Sequence, residues 1–266
     1  MTALESVSGT QGPFTVERSF SNRFFRWLVE NLGALFVAVL GVLAWWVASV
    51  AFFVVPSPVE TLNDLIAAIG DSRFQTNMRV TAVAVMWSVI ASIVVGVIFG
   101  LAFGVSEWLT RAFEPLIIAL NGLPKIVLYP VLLLILGMGD TSKIVLATSI
   151  GMFPVFMNVA AGVRDMPPVY RRVARSLDAT RMQTFFQVVL PAIRRPLLTG
   201  VRLAVSLATV GVVLGEMFAT QYGLGRVILA SHSAGQNARM FATVMLLLGV
   251  SFVISSVLWR IERHAK

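Results

Sequence analysis

The chain has 266 residues, 57% of them hydrophobic and only 13% charged, where a soluble domain carries about 25% charged. Its 21 Lys and Arg outnumber its 13 Asp and Glu, giving a formal charge of +8. So few charges cannot cover a soluble surface of this size, which excludes an ordinary cytosolic enzyme and points to the lipid bilayer. The absence of Cys excludes disulfides, thiolate nucleophiles, iron–sulfur clusters and zinc ribbons, and His232 and His264 have no ligand-spaced partner, so no metal site is expected.

In chain order, residues 1–22 are polar and read as a disordered stretch within an N-terminal tail, 1–30. The first apolar stretch, 31–55, has 25 residues without a charge. It starts too late and runs too long for a cleaved signal peptide, so it reads as a retained span followed by a periplasmic segment to residue 79. A span needs about 20 apolar residues. Five further stretches reach that length: 80–104, 113–136, 144–163, 198–219 and 240–259. The third of the six, 113–136, contains Glu114, Pro124, Lys125 and Pro130, so it reads as one broken helix or two shorter segments. The expectation is an all-α integral membrane fold with about six transmembrane helices: a core over 80–260, a polar loop at 164–197, and a short tail at 261–266.

Orientation follows the distribution of Lys and Arg. With the N-terminus inside, fifteen of them fall on the cytoplasmic side and five outside, at Arg73, Arg79, Lys143, Arg226 and Arg239, with Lys125 within a span. Both termini are therefore expected in the cytoplasm.

Nothing in the sequence supplies energy or chemistry. None of the three Lys follows a Gly, so there is no P-loop, and Gly137-Met138-Gly139 and Gly223-Leu224-Gly225 read as turns. Glu216 is the one carboxylate well inside a span; it marks a pathway or is a buried acid held by a neighbouring helix. Asn121-Gly122-Leu123-Pro124-Lys125 reads either as broken backbone lining a path or as a re-entrant turn. Gly96, Gly100 and Gly104 fall on one helical face and read as a packing surface.

Residues 164–202 hold eight Arg against Asp165 and Asp178. The aromatics are not interleaved with these charges, which argues against nucleic acid. Contact with anionic membrane lipid fits the charge. The loop is also patterned. Pro167-Pro168 suits a helix start, 169–177 reads as a short helix with Val173, Ala174 and Leu177 on one side, and Thr180 with Gln183 forms a capping box for a second helix. Pro191 is expected to end that second helix, and Pro196 to precede the next span. Helix, turn, helix makes a knob suited to a partner's groove.

This loop resembles that of permease subunits of bacterial binding-protein-dependent ABC importers. They carry Glu-Ala-Ala, three residues, Gly, nine residues, then Ile-x-Leu-Pro. On this chain the same spacing falls on Arg172-Val173-Ala174, Asp178 and Val188-Val189-Leu190-Pro191. Pro56-Ser57-Pro58, the segment with Pro124 and Pro130, Glu216 and Gly223-Leu224-Gly225 are similar to the branch serving nitrate, sulfonate, taurine and bicarbonate. Two departures stand out: Arg172 reverses the charge of the family's acid, and Asp178 replaces the turn Gly, where a left-handed backbone is expected.

The resemblance implies a type I importer permease with no ATP site of its own, ATP and Mg being held by two partner ABC ATPases. It also implies a second permease copy, identical or not, and a periplasmic or lipid-anchored binding protein that delivers a small solute, with a small anion favoured. Docking of the ATPase is then expected at Tyr170, Arg171, Arg172, Val173, Ala174, Leu177, Asp178, Val188, Leu190 and Pro191. Asn121, Pro124, Lys125, Pro130, Asn158 and Glu216 are expected near the translocation path. The rival readings are a carrier or channel driven by an ion gradient through Glu216, and a membrane scaffold whose basic loop recruits a soluble partner.

Overall fold

The computed structural model of the chain describes residues 20–264, apart from the side chains of residues 20–31, 34, 35, 171, 181 and 264. Most of the expected N-terminal tail, the end of the C-terminal tail and the side chain of Arg171 thus lie outside the described residues. The chain divides into two units, Met1–Pro58 and Val59–Lys266. In the first, helix α1 (Phe20–Ala51) carries the apolar stretch Phe36–Ala51. It stops short of the expected residue 55, because the proline at 56 holds Val55 away from helical backbone. The Trp45 indole N–H donates to the Pro56 carbonyl at 3.1 Å, so the chain after the helix folds back onto it.

The second unit begins with α2 (Pro58–Gly70), which falls in what the sequence reads only as a periplasmic segment. Pro58 opens it at the position where a missing N–H does no harm. Helix α3 (Ser72–Val105) follows at once, capped by Asp71, whose side chain accepts from the Arg73 N–H at 3.0 Å. It starts eight residues before the apolar stretch because its first two turns are polar and capped rather than membrane-embedded.

The interrupted third stretch is broken as its prolines require. Helix α4 (Glu107–Gly122) ends before Pro124, a 3₁₀ turn occupies Lys125–Leu128, and α5 (Tyr129–Leu136) leaves at 87° to α4. Then come α6 (Asp140–Arg164), α7 (Pro168–Ser176), α8 (Arg181–Thr184), α9 (Leu190–Ala219), α10 (Leu224–Ser233) and α11 (Asn237–His264). Among the described residues four helices are long and apolar enough to cross a membrane, and there are five when the bent α4–α5 pair is counted as one span. The first of the six expected spans is represented by the shorter stretch in α1.

One expectation in the loop fails. Pro191 does not end a helix, and Pro196 lies inside one: α8 runs through a π turn, Phe185–Val189, directly into α9. In that turn the Leu190 N–H reaches back five residues to the Phe185 carbonyl. The wider turn leaves room for the Pro191 ring, which would strike the carbonyl four residues back in a regular α-helix.

The core is α6 held between α3 and α9. Side chains at Gly96, Gly100 and Gly104 would come within 2.6 Å of Val155, Val159 and Val163 respectively, so the glycine face is the packing surface its spacing predicts. On the other side of α6, Gly200 and Gly211 of α9 bring its backbone against Val155 and Ala147, with an added carbon 2.9 and 2.8 Å from their Cα atoms. Charges left in the apolar helices find partners: Arg202 of α9 faces Glu262 of α11 at 3.4 Å, and Arg239 of α11 binds Asp64 of α2 at 2.6 Å.

Gly100→Ala is expected to lower the stability of the purified protein by about 1–3 kcal/mol, the usual result of overpacking. Gly249→Ala, where nothing lies within 4 Å, should leave it unchanged. Thermal unfolding in mild detergent distinguishes the two.

Candidate functional site

The arginine-rich loop is a built object. Pro168 starts α7, and the helix closes with a paired C-terminal motif: the Ala179 N–H bonds the Ala174 carbonyl at 3.0 Å and the Asp178 N–H bonds the Arg175 carbonyl at 3.1 Å. That motif needs a left-handed residue after the cap, and Asp178 supplies it at φ 50°, alone among the described non-glycine residues. Thr180 and Gln183 then form the expected reciprocal cap. The Thr180 N–H donates to Gln183 Oε1 at 2.8 Å, and the Gln183 N–H donates to Thr180 Oγ1 at 3.3 Å.

The docking residues named from sequence separate into two groups. Tyr170, Arg172, Val173, Leu177 and Asp178 are exposed, with Leu177 at 75%, and Val169 joins them. Ala174 is not on that face. It is buried, 5% exposed, because a residue one position on from Val173 points about 100° away around the helix. Val188 and Leu190 are half-buried where the π turn meets α9, and Pro191 is exposed.

The residues expected near a path do not meet at one point. Asn121, Pro124 and Pro130 are exposed around the break between α4 and α5. Lys125, half-buried, lies with its Nζ 4.2 Å from the centre of the Phe153 ring of α6 and 3.5 Å from the Asn121 carbonyl. Asn158 turns back on its own helix, its Nδ2 donating to the Pro154 carbonyl at 2.8 Å.

Glu216 sits elsewhere, at the end of α9, with 0% exposure and a full set of partners. Thr81 of α3 donates its hydroxyl to the carboxylate at 2.8 Å, Lys143 of α6 binds it at 3.1 Å, and the Gly225 N–H of α10 donates at 3.0 Å. Lys143, also 0% exposed, binds the outward-facing Asp140 at 2.8 Å as well. The Leu224 N–H donates to Thr81 Oγ1 at 2.8 Å and the Gly223 N–H to Asn77 Oδ1 at 2.7 Å. Gly223 has φ 120°, and a side chain there would overlap the Glu216 carboxylate. Gly223-Leu224-Gly225 is therefore the turn that presents the amide end of α10 to an acid, a favourable place for negative charge.

The sequence reading places Lys143 among the flanking charges, not as a partner of Glu216, and does not find Thr81, Asn77 or Tyr129. Tyr129, buried at the start of α5, donates its hydroxyl to the Gly215 carbonyl at 2.9 Å and so ties the broken segment to the Glu216 region. The available signal was Glu216 itself, since an acid within an apolar span requires a partner.

The model of the family described as binding-protein-dependent transport system inner membrane component matches residues 92–266. The chain belongs to that family. The permease is 28% identical over 249 residues to the taurine transport system permease protein TauC of Escherichia coli, covering 89% of this chain and 88% of that one. It is 31% identical over 233 residues to the riboflavin transport system permease protein RibX of Chloroflexus aurantiacus, covering 85% and 87%. Its fold is that of a chain in the inward-facing MetNI methionine ABC transporter, with a TM-score of 0.63 at 20% identity, over 71% of the permease and 94% of that chain. The permease is thus the multi-pass, bacterial inner-membrane component of an ABC importer, a component that lacks an ATPase site.

Removing one member of a buried ion pair strands the other. Lys143→Met is expected to destabilise the permease by about 3–5 kcal/mol, and Lys143→Met with Glu216→Gln to recover most of the loss, as read by thermal unfolding. Asp178→Gly should raise stability by up to about 1 kcal/mol, since glycine enters the left-handed region without penalty, whereas Asp178→Val should lower it.

Proposed function

We propose that α7 is the coupling helix through which this permease grips a cytoplasmic ABC ATPase, and that two permease copies with two ATPases import a small solute handed over by a binding protein. The observation that carries this reading is the exposed apolar row Val169, Tyr170, Val173 and Leu177, on a short helix that also carries the exposed Arg172 and Arg175 and is closed at its C-terminal end by its own backbone motif. Such a row on a polar knob is a docking surface for a groove. Arg172 stands where relatives present an acid, so the matching position of the partner ATPase is negative.

A small anion is the solute we favour. Lys125 supports this: it is half-buried at the break in α4–α5 with no carboxylate in ion-pair distance among the described residues. Lys143 does not serve this role, because Glu216 and Asp140 already neutralise it. The relatives named for taurine and for riboflavin support a small organic solute and do not choose between charged and neutral. A carrier working through Glu216 is disfavoured, since the carboxylate is enclosed and fully bonded.

Val173→Glu and Leu177→Glu are expected to weaken ATPase binding at least tenfold, about 1.4 kcal/mol, without lowering the melting temperature of the isolated permease. Co-purification and uptake should fall together. Retention of the ATPase by both variants would remove α7 from the docking role. Uptake that persists after ATP depletion with the proton gradient intact would overturn the ATP-driven reading.

A further inference from the structure

Two cavities on one side of the bundle share a wall. The inner one, about 420 Å³, lies between α3, α4 and α6 and is lined only by apolar residues, among them Phe99, Phe113, Leu116 and Met152. The outer one, about 500 Å³, opens beside the start of α7 and is lined by Glu107, Thr110, Arg111 and Arg164. Phe103 borders both. It is fixed edge-on between Phe113, 6.1 Å away, and Phe156, 5.3 Å away, so the two spaces adjoin at a rigid partition.

The charges of the outer cavity do not cancel. Arg111 is paired with Glu107 at 2.7 Å, and Thr110 donates its hydroxyl to the Phe103 carbonyl at 2.7 Å. Arg164 has no carboxylate within ion-pair distance among the described residues, although Asp165 is its neighbour in the chain. One uncompensated guanidinium thus lines the outer cavity, across Phe103 from the apolar slot.

We propose that the two adjoining cavities hold one anionic phospholipid draped over Phe103, its phosphate on Arg164 and Arg111 and an acyl chain in the slot between α3, α4 and α6. A hydrophilic solute entering the inner cavity would find no polar partner there, whereas an acyl chain needs none. A basic pocket between membrane helices is the setting in which anionic headgroups bind. A helix of a second permease copy is the competing occupant of the slot, and cross-linking between copies separates it from a lipid. Only a ligand with both parts on one molecule uses both spaces.

The test uses the full-length permease, delipidated in mild detergent, with thermal unfolding as the readout. Dioleoyl phosphatidylglycerol is expected to raise the melting temperature by about 3–5 °C. Phosphatidylcholine with the same chains, or inorganic phosphate alone, should raise it by less than about 1 °C. Arg164→Gln with Arg111→Gln should abolish the shift and leave the lipid-free melting temperature unchanged, since both side chains are exposed. Leu116→Trp, which fills the slot, should abolish it with both arginines intact. A shift that survives both variants overturns the site. An equal shift with phosphatidylcholine removes the headgroup from the proposal, and an equal shift with phosphate reduces the site to a free-anion one. Cross-linking of Leu116→Cys to a second copy in native membranes would assign the slot to the partner permease and overturn the lipid.

Discussion

The close approach of α6 to α3 on one side and α9 on the other is the constraint on which the rest of the molecule depends. Within lipid an apolar side chain gains nothing by leaving the acyl chains for another helix, so association rests on contact at short range. Gly96, Gly100 and Gly104 allow that contact with Val155, Val159 and Val163, while Gly200 and Gly211 allow it on the opposite face. Because α6 carries valines to one neighbour and its own backbone to the other, neither pairing can slide without breaking the second. Helix α6 is therefore a fixed rod. It runs from Lys143 at one end to Arg164 at the other, about 30 Å at 1.5 Å per residue. The ion-pair cluster and the α7 loop are joined through it.

The cluster at the first end shows how a charge is kept inside such a bundle. A buried ion pair is a poor source of stability unless further hydrogen bonds satisfy it. Here Glu216 receives Thr81, Lys143 and the Gly225 amide, and Lys143 also reaches Asp140. The result is geometric as much as energetic. The carboxylate fixes the start of α10, Thr81 and Asn77 fix the turn before it, and Tyr129 fixes the segment after the α4–α5 break to the residue beside Glu216. Four parts of the chain are located by one acid and its neighbours.

At the other end the loop is specified by its own caps. The left-handed residue after α7 and the reciprocal cap at Thr180 and Gln183 hold a sharp corner that depends little on the rest of the protein. The π turn then carries α8 into α9 without a break, so the second half of the loop is continuous with a core helix. The cavity lined by Glu107, Thr110, Arg111 and Arg164 opens beside the start of α7, and the apolar slot between α3, α4 and α6 adjoins it at Phe103.

Much of this is determined by local chemistry and was legible in the sequence. Charge-free runs of apolar residues define membrane helices, prolines at 124 and 130 break the third, the glycine spacing marks a packing face, and the cap residues of the loop act on their own neighbours. The boundaries needed more, because capped polar turns extend α3 beyond its apolar stretch and a π turn lets a helix pass Pro191. The partners of Glu216 were set only by the tertiary structure: Thr81, Lys143 and Gly225 lie up to 135 residues away, and a carboxylate in a span announces its need for partners but not their identity. The same holds for Ala174, which belongs to the docking motif by spacing but faces inward by packing. Local periodicity and capping act over a few residues and can be read along the chain. Which faces meet, and which charges thereby become buried together, depends on packing between distant segments and exists only in the fold.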